Sequence, residues 1–495
     1  MGKVIRDGFR LSVISYTGAA IGYLNKILIF TNILTEEQLG LVNLLVNVAA
    51  LFAQGANLGS PLVIGRFFPF LKTPDNKNNG LLFWSLFFTS IGFLLCALLL
   101  LGFRDQILSH YTESPLLGAY YLYLIPVILS TAFFNIFDMY LRMFGKNIFS
   151  AFVSDILLRI SNLVAVLAFA LGWVDFHNFV GLYIFFQCMP AFLLLLYMLR
   201  KRLAYLQPVR NAFRNRLYRI AMPYGLISLL NGLSNFSFTA IDQIMLASLG
   251  GAAGLKQTGI YTTTSYFVSL LMMPYRAITR IVQPDVSLHS KNRNREELSK
   301  IYRQTTLILL IVGCYLFLML WINLDSLYCV MPDSYRQGKP VFLLLALGQL
   351  GTLYTGINGM ILINSKRYRY DMVANLLLIG LTIVTNFWLI PLYGMVGAAM
   401  ATTLTLLLYN GIRSWFVWRF FRIHPFAPAD LGIMALTLVC VLLSGLIPPL
   451  FHWIADIAMR SILFTLLFGW PVYALHLSAD LNRSIDDLLA KLFRK

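Results

Sequence analysis

Residues 81–102 read LLFWSLFFTSIGFLLCALLLLG, an apolar run without a single charged side chain. At 1.5 Å per residue a helix of this length reaches about 33 Å, enough to cross the roughly 30 Å hydrocarbon layer of a bilayer. The pattern recurs on both sides of this run. Comparable stretches cover residues 11–31, 38–64, 116–141, 148–172, 177–199, 217–241, 258–282, 304–322, 340–363, 370–390, 395–418, 431–446 and 457–476. Together they predict fourteen transmembrane helices and an all-α integral membrane protein. Composition agrees, because only 12% of the 495 residues are charged, about half the share of a soluble domain. A secreted disulfide scaffold, a nucleic-acid-binding domain and a disordered polymer are excluded together.

The formal charge of +18 is explained by topology rather than by a ligand. Lys and Arg gather in cytoplasmic segments of membrane proteins. With the N-terminus inside, the inner segments hold 32 of the 39 basic residues and the outer loops five: Arg104, Lys256, Arg336, Lys339 and Arg460. The remaining two, Lys26 and Arg159, lie inside spans. An even helix count then places both termini in the cytoplasm. Lys3, Arg6 and Arg10 resemble the basic leader of a signal peptide, but the apolar run that follows is long and contains Asn25 and Lys26, so a retained first helix is expected.

No connection is long enough to house a catalytic domain, and a protein that is not an enzyme is expected. Cys96, Cys188, Cys314, Cys329 and Cys440 lie far apart, and the six histidines show no metal-ligand spacing, so neither a metal nor another cofactor is indicated. Glu36-Glu37 could be the acidic pair of a membrane glycosyltransferase. The simpler reading is helix capping, with Thr35-x-x-Gln38 as a capping box. The tail from Ser478 places Leu481, Ile485, Leu488, Leu489 and Leu492 on one helical face flanked by basic residues, which suits the inner membrane surface. Gln38-Leu39-Gly40 and Gln257-Thr258-Gly259 open the second and eighth spans, a trace of internal repetition six helices apart. The expected organisation is a lobe at residues 1–205, a second at 206–425, two further helices at 426–477 and the tail at 478–495.

Charges within spans carry the functional information, since a Lys, Arg or Asp at mid-bilayer costs roughly 2.5–3.5 kcal/mol on insertion scales. Lys26 has no acidic residue on its own helix after Asp7, which suits a wet cavity that receives an anion. Asp155 and Arg159 share one face of the fifth span at i and i+4, where they either neutralise each other or serve a site. Arg276 and Arg280 share a face just after Pro274, and Arg66 and Arg142 stand at inner helix ends, from which all four can snorkel to the surface. Asp242 closes the seventh span as a partner for Lys26, a cation site or a plain loop-edge carboxylate. Asp155 and Asp242 are thus the candidates for ion coupling or ion pairing.

The stretch Asn386-x-x-Leu389-Ile390-Pro391-x-Tyr393-Gly394-x-x-Gly397-Ala398-Ala399-x-Ala401-Thr402 resembles the polysaccharide exporters, the O-antigen flippase-like branch of the multidrug/oligosaccharidyl-lipid/polysaccharide superfamily. Residues 34–40 and 242–284 look similar to the same family. The resemblance implies two pseudo-symmetric six-helix lobes forming a V around a cationic cavity, with alternating inward and outward openings. It implies a polyprenyl-diphosphate-linked oligosaccharide as cargo, moved to the outer leaflet of the bacterial cytoplasmic membrane for surface polysaccharide synthesis. Membrane lipids and other polysaccharide-assembly proteins are the implied partners. In related flippases arginines on the first, second and eighth helices hold the diphosphate. Here Lys26 takes the first-helix place, Arg66 and Arg276 stand near the other two, and Arg159 adds a fourth cation.

Two other readings stand beside the flippase. A multidrug exporter of the same fold is expected to carry acidic residues in its first-helix cavity, where this chain has Lys26. A glycosyltransferase or polymerase needs a large outer loop, which the sequence lacks.

Overall fold

The computed structural model describes residues 2–73, 78–109, 115–208, 225, 229, 240–292, 294–365, 367–447, 452–475 and 482. Apart from the single positions 225, 229 and 482, the expected seventh span up to residue 239 and the C-terminal tail from Ser478 lie outside the described residues. So do Pro223, Asn231 and Asn235. The described residues are helical throughout, with no strand among them. Nine of their helices are long and apolar enough to cross a membrane. One of these nine, Arg369–Phe421, would extend about 80 Å if straight, far beyond a bilayer. It is broken at Gly394, whose φ of 55° and ψ of −131° are not helical. A side chain on Gly397 would collide with the Leu389 carbonyl, so the chain doubles back tightly there. The Pro391-to-Gly397 stretch therefore makes a turn between two bilayer-length arms.

The chain separates into two compact units, Met1–Gly259 and Ile260–Lys495. In the first, α1 (Gly2–Tyr23) continues through a π-helical stretch, Leu24–Phe30. Thr35 then starts α2 (Glu36–Ala56) with the expected capping box: its hydroxyl accepts from the Gln38 N–H while the Gln38 side chain accepts from the Thr35 N–H. Helices α3 (Ser60–Leu71) and α4 (Leu81–Gly102) follow, and α5 (Leu124–Met143) is the hub against which α2, α3, α4 and α7 (Phe176–Arg200) pack. A second π-helical stretch, Phe152–Leu157, leads into α6 (Leu158–Ala170). The core between these helices is aliphatic and aromatic, with Phe68, Ile136, Phe137, Leu141 and Leu194 buried. Its one large polar group, the Tyr140 hydroxyl, accepts from Asn78 Nδ2 at 2.7 Å. The unit closes with α8 (Ala240–Leu249) and the start of α9 (Gly254–Ser269). Gly40 and Gly259, the glycines of the repeated Gln-x-Gly signature, meet here. A side chain on Gly40 would strike the Leu255 carbonyl and one on Gly259 the Glu36 carbonyl.

In the second unit a 3₁₀ turn, Leu270–Met272, separates α9 from α10 (Met273–Lys291). The expected eighth span is therefore two helices, and Pro274 sits in the first turn of the second, where its missing N–H costs nothing. Helix α11 (Arg295–Tyr328) packs against α10, α12 (Lys339–Thr355), α15 (Pro428–Ser444) and α16 (Trp453–Ala474). Between them lie the short α13 (Asn358–Ile363) and the broken α14 (Tyr368–Phe421).

Arg460 corrects one expectation. It is not in an outer loop but buried in α16 at 8% exposure. Its Nε bonds Asp456 Oδ1 at 2.9 Å and its Nη2 the Ile447 carbonyl at 2.9 Å, while Ser326 of α11 donates to the other Asp456 oxygen. The sequence shows a charge near a helix end; only the fold supplies the groups that let it be buried. Removing one partner of such a pair costs about 3–5 kcal/mol, whereas replacing both by apolar residues is often neutral. Asp456→Ala is accordingly expected to lower the thermal unfolding midpoint of the detergent-solubilised protein, followed by intrinsic fluorescence, and Asp456→Leu/Arg460→Met to restore most of it.

Candidate functional site

Helix α1 carries Gly18-x-x-x-Gly22, the small-residue spacing that lets two membrane helices approach backbone to backbone. The partner is the stretch from Phe152 through α6. A side chain on Gly18 would collide with the Asp155 backbone, and one on Gly22 would lie 2.6 Å from the Arg159 guanidinium. The guanidinium fills the space that the glycines leave, and its Nη1 donates to the Gly18 carbonyl. Asp155 turns the other way along α1 and accepts from Ser15 Oγ at 3.0 Å, with Ser154 Oγ at 3.1 Å on its second oxygen. The two charges act on each other electrostatically, while their hydrogen bonds run to other groups.

The track continues through the first π-helical stretch. Asn25 is buried and donates from Nδ2 to the Arg159 carbonyl at 2.9 Å. Lys26, the next residue, donates from Nζ to Asn43 Oδ1 of α2 at 3.0 Å, and Asn43 is held by its own bond to the Leu39 carbonyl at 2.9 Å. Lys26 and Arg159 lie within electrostatic reach of each other. Two cations and one carboxylate thus occupy a continuous polar seam of Ser15, Asp155, Arg159, Asn25, Lys26 and Asn43. Both π-helical stretches lie on it. A π turn re-aims side chains and loosens the i→i+4 ladder, and such turns are concentrated at functional positions. Farther along α2, Asn47 donates to Gln243 of α8, next to the buried Asp242.

Of the sequence candidates, Lys26, Arg159 and Asp155 come together in this seam. Asp242 is a buried helical residue rather than a loop-edge one. Arg66 is exposed on α3 with its guanidinium 5.9 Å from the Phe67 ring centroid. Arg276 is exposed on α10 in the second unit.

The second unit holds a polar cluster that no sequence signal revealed. Asp371 and Arg413, on the two arms of α14, form an ion pair with side chains 5% and 14% exposed. Asn375 donates to Asp371 at 3.2 Å and accepts from the Tyr409 hydroxyl at 2.6 Å, and the Arg413 guanidinium stands 4.2 Å from the Tyr409 ring centroid, closing a ring of four residues. Gly359 makes room for it, since a side chain there would come within 2.7 Å of the guanidinium. Arg413 had been grouped with the inner basic segment. The 42 residues that separate it from Asp371 leave no spacing to read.

The seam predicts an order of sensitivity. Gly18→Ala sets a methyl against Asp155 backbone that cannot swing aside, whereas Gly22→Ala meets the movable end of Arg159. Overpacking costs about 1–3 kcal/mol; Gly18→Ala is expected at the upper end and Gly22→Ala below it. Thermal melts of the two variants test this, and the reverse order would contradict the docking described.

No family model matches the chain. The capsular polysaccharide biosynthesis protein CapF of Staphylococcus aureus is 24% identical over 190 residues, which are 38% of this chain and 46% of that protein, so less than half of the relative is spanned. Among solved structures, the lipid II flippase MurJ in an inward closed conformation superposes with a TM-score of 0.71 at 14% identity, covering 94% of this chain and 99% of that one. An inward-facing multidrug resistance MATE family transporter of the MOP superfamily gives 0.63 at 15% identity, covering 83% and 98%. A MOP superfamily transporter from Pyrococcus furiosus, described by its reversed binding-pocket polarity, gives 0.54 at 15% identity, covering 84% and 95%. These neighbours are flippases and transporters, not enzymes. At such identities the likeness speaks for architecture, and the architecture is plain: this chain has the fold of the multidrug/oligosaccharidyl-lipid/polysaccharide (MOP) superfamily.

Proposed function

We propose that the protein is a flippase that moves a polyprenyl-diphosphate-linked oligosaccharide from the inner to the outer leaflet of a bacterial cytoplasmic membrane, for cell-surface polysaccharide assembly. The observation that carries this reading is the cationic seam on α1. The span Val13–Ile33 contains Lys26 and no acidic residue, and Lys26 is held by the neutral Asn43. The Asn43 amide fixes where the Lys26 ammonium stands on the seam. Arg159 adds a second positive charge, and its planar guanidinium suits phosphate geometry. The likeness to a lipid II flippase and the partial match to a capsular polysaccharide protein are consistent with a lipid-linked sugar.

The proposal extends to topology and mechanism. Fourteen crossings and cytoplasmic termini are read from the apolar runs and the distribution of Lys and Arg, and the six-helix lobes at residues 1–205 and 206–425 from the internal repeat and the family resemblance. Residues 426–477 add two helices, and the tail at 478–495 lies on the inner surface. Alternating access carries the diphosphate past Lys26 and Arg159 while the prenyl chain stays in lipid, with Arg66 and Arg276 as further phosphate ligands. An inside-negative potential favours outward movement of the anion by about 2.3 kcal/mol per charge per 100 mV across the full field.

A second reading, a cation antiporter of the multidrug and toxin extrusion type, shares the fold, and one observation favours it. Asp155, bonded to Ser15, faces α1 on the same seam and offers a carboxylate to a proton or an organic cation; Asp242 is a further acidic candidate. Liposomes containing the purified protein separate the readings. A fluorescent polyprenyl-diphosphate oligosaccharide is expected to become accessible in the opposite leaflet, and Lys26→Ala to slow this roughly tenfold or more, the worth of a hydrogen bond to a charged group. Lys26→Arg is expected to retain part of the rate. Ethidium movement without lipid flipping, abolished by Asp155→Asn, would replace the first reading with the second.

A further inference from the structure

At the end of α14 the chain leaves its helix by an unusual route. Arg422 adopts φ 60° and ψ 32°, the left-handed conformation that glycine takes most easily at a helix C-terminus, and its N–H still bonds the Trp418 carbonyl at 2.9 Å. For a residue with a side chain this geometry is uncommon and costs energy. It sends residues 423–427 back beside the helix and swings the guanidinium over the Trp418 indole, 5.2 Å from the ring centroid. Between the helix and the returning segment lies a groove of about 530 Å³. It is lined by Trp415, Trp418, His424 and Phe426, together with Thr355 and Ser414. Both tryptophans are half exposed, at 55% and 45%. The Phe426 ring is braced against Tyr354 at 4.9 Å between centroids.

The rim is basic. Arg419 follows Trp415 by four residues and Arg422 follows Trp418 by four, so each wall tryptophan has an exposed arginine about one turn beyond it. The nearest acid on the chain, Asp430, is 1% exposed and spends its carboxylate on the Ala427 N–H at 2.8 Å, where it caps α15. An aromatic trough with the Arg422 guanidinium over one tryptophan and the exposed Arg419 a helical turn beyond the other matches one chemistry in a bilayer: an acyl chain ending in a phosphate that carries net negative charge.

We propose that this groove binds an anionic membrane phospholipid, its acyl chain lying against Trp415 and Trp418 and its phosphate held by Arg419 and Arg422. The site is separate from the Lys26 seam and does not depend on the transported cargo. Which leaflet supplies the lipid follows from the proposed orientation, which places these arginines on the inner side; the binding itself does not.

The indoles report occupancy directly. Brominated phosphatidylglycerol and brominated phosphatidylcholine are titrated into the full-length protein in mixed micelles. The difference in fluorescence between the wild type and Trp415→Phe/Trp418→Phe isolates these two of the eight tryptophans. Each basic side chain at a membrane surface favours an anionic lipid about fivefold, so phosphatidylglycerol is expected to half-quench the pair at a concentration at least several-fold below phosphatidylcholine. Arg419→Gln/Arg422→Gln should erase that preference and Arg419→Lys/Arg422→Lys should keep most of it. Equal quenching by the two lipids in the wild type, a comparison that needs no arginine variant, would overturn the proposal. So would an anionic preference that survives the loss of both arginines.

Discussion

A guanidinium in a membrane span needs hydrogen-bond acceptors delivered to it, because hydrocarbon supplies none. For Arg159 the acceptor is the backbone of α1 itself. Gly18 and Gly22 strip that helix surface of side chains, the two backbones close to contact, and the Gly18 carbonyl comes within reach. The rest of the seam depends on this approach. Asp155 is placed against Ser15, Asn25 reaches the Arg159 carbonyl, and Lys26 is carried round to Asn43. The same solution recurs in the second unit, where Gly359 admits Arg413 to its partner Asp371. In both places glycine provides the room and a polar neighbour provides the compensation.

How far this could be read beforehand depends on whether a feature is local. The Thr35 cap and the Pro391–Gly394 turn are each written within a few consecutive residues, and each is where the sequence suggests; among the apolar runs, the one at 258–282 is instead broken by the 3₁₀ turn at Leu270–Met272. Lys26 and Arg159 stand out as charges in apolar surroundings. Their partners do not, because Asn43 lies on another helix and the Gly18 carbonyl belongs to a residue with no side chain to notice. The Gly18-x-x-x-Gly22 spacing carries its meaning only in the fold, because nothing local says which helix it receives. Arg413 and Arg460 were misread for the same reason. Each looked like an interfacial charge until Asp371 on the other arm of α14, and Ser326 on α11 beside Asp456, were placed against them.

The two units treat buried charge differently. In the second, Asp371 with Arg413 and Asp456 with Arg460 are matched pairs whose members neutralise each other. In the first, the Gly18 carbonyl accepts from Arg159 and the Asn43 amide from Lys26, with the Asp155 carboxylate acting on Arg159 from the same helix face. A matched pair contributes mainly to holding helices in register. The gathering of Lys26 and Arg159 on one polar seam, more than the number of basic residues, is why the functional proposal rests on the first unit.

The π-helical stretches at Leu24–Phe30 and Phe152–Leu157 have a genetic corollary. A hydrogen-bonded ring closed from i to i+5 accommodates one residue more than an α-helical ring, so each stretch is what a single-codon insertion into an ordinary helix would leave behind. Excision of one residue from the first would return it to α-helix and rotate everything on one side of the cut by about 100° relative to the other. Lys26 would then face a different neighbour although no side chain had changed identity. Substrate preference in such a protein can therefore shift through indels that a comparison of amino-acid identities would overlook.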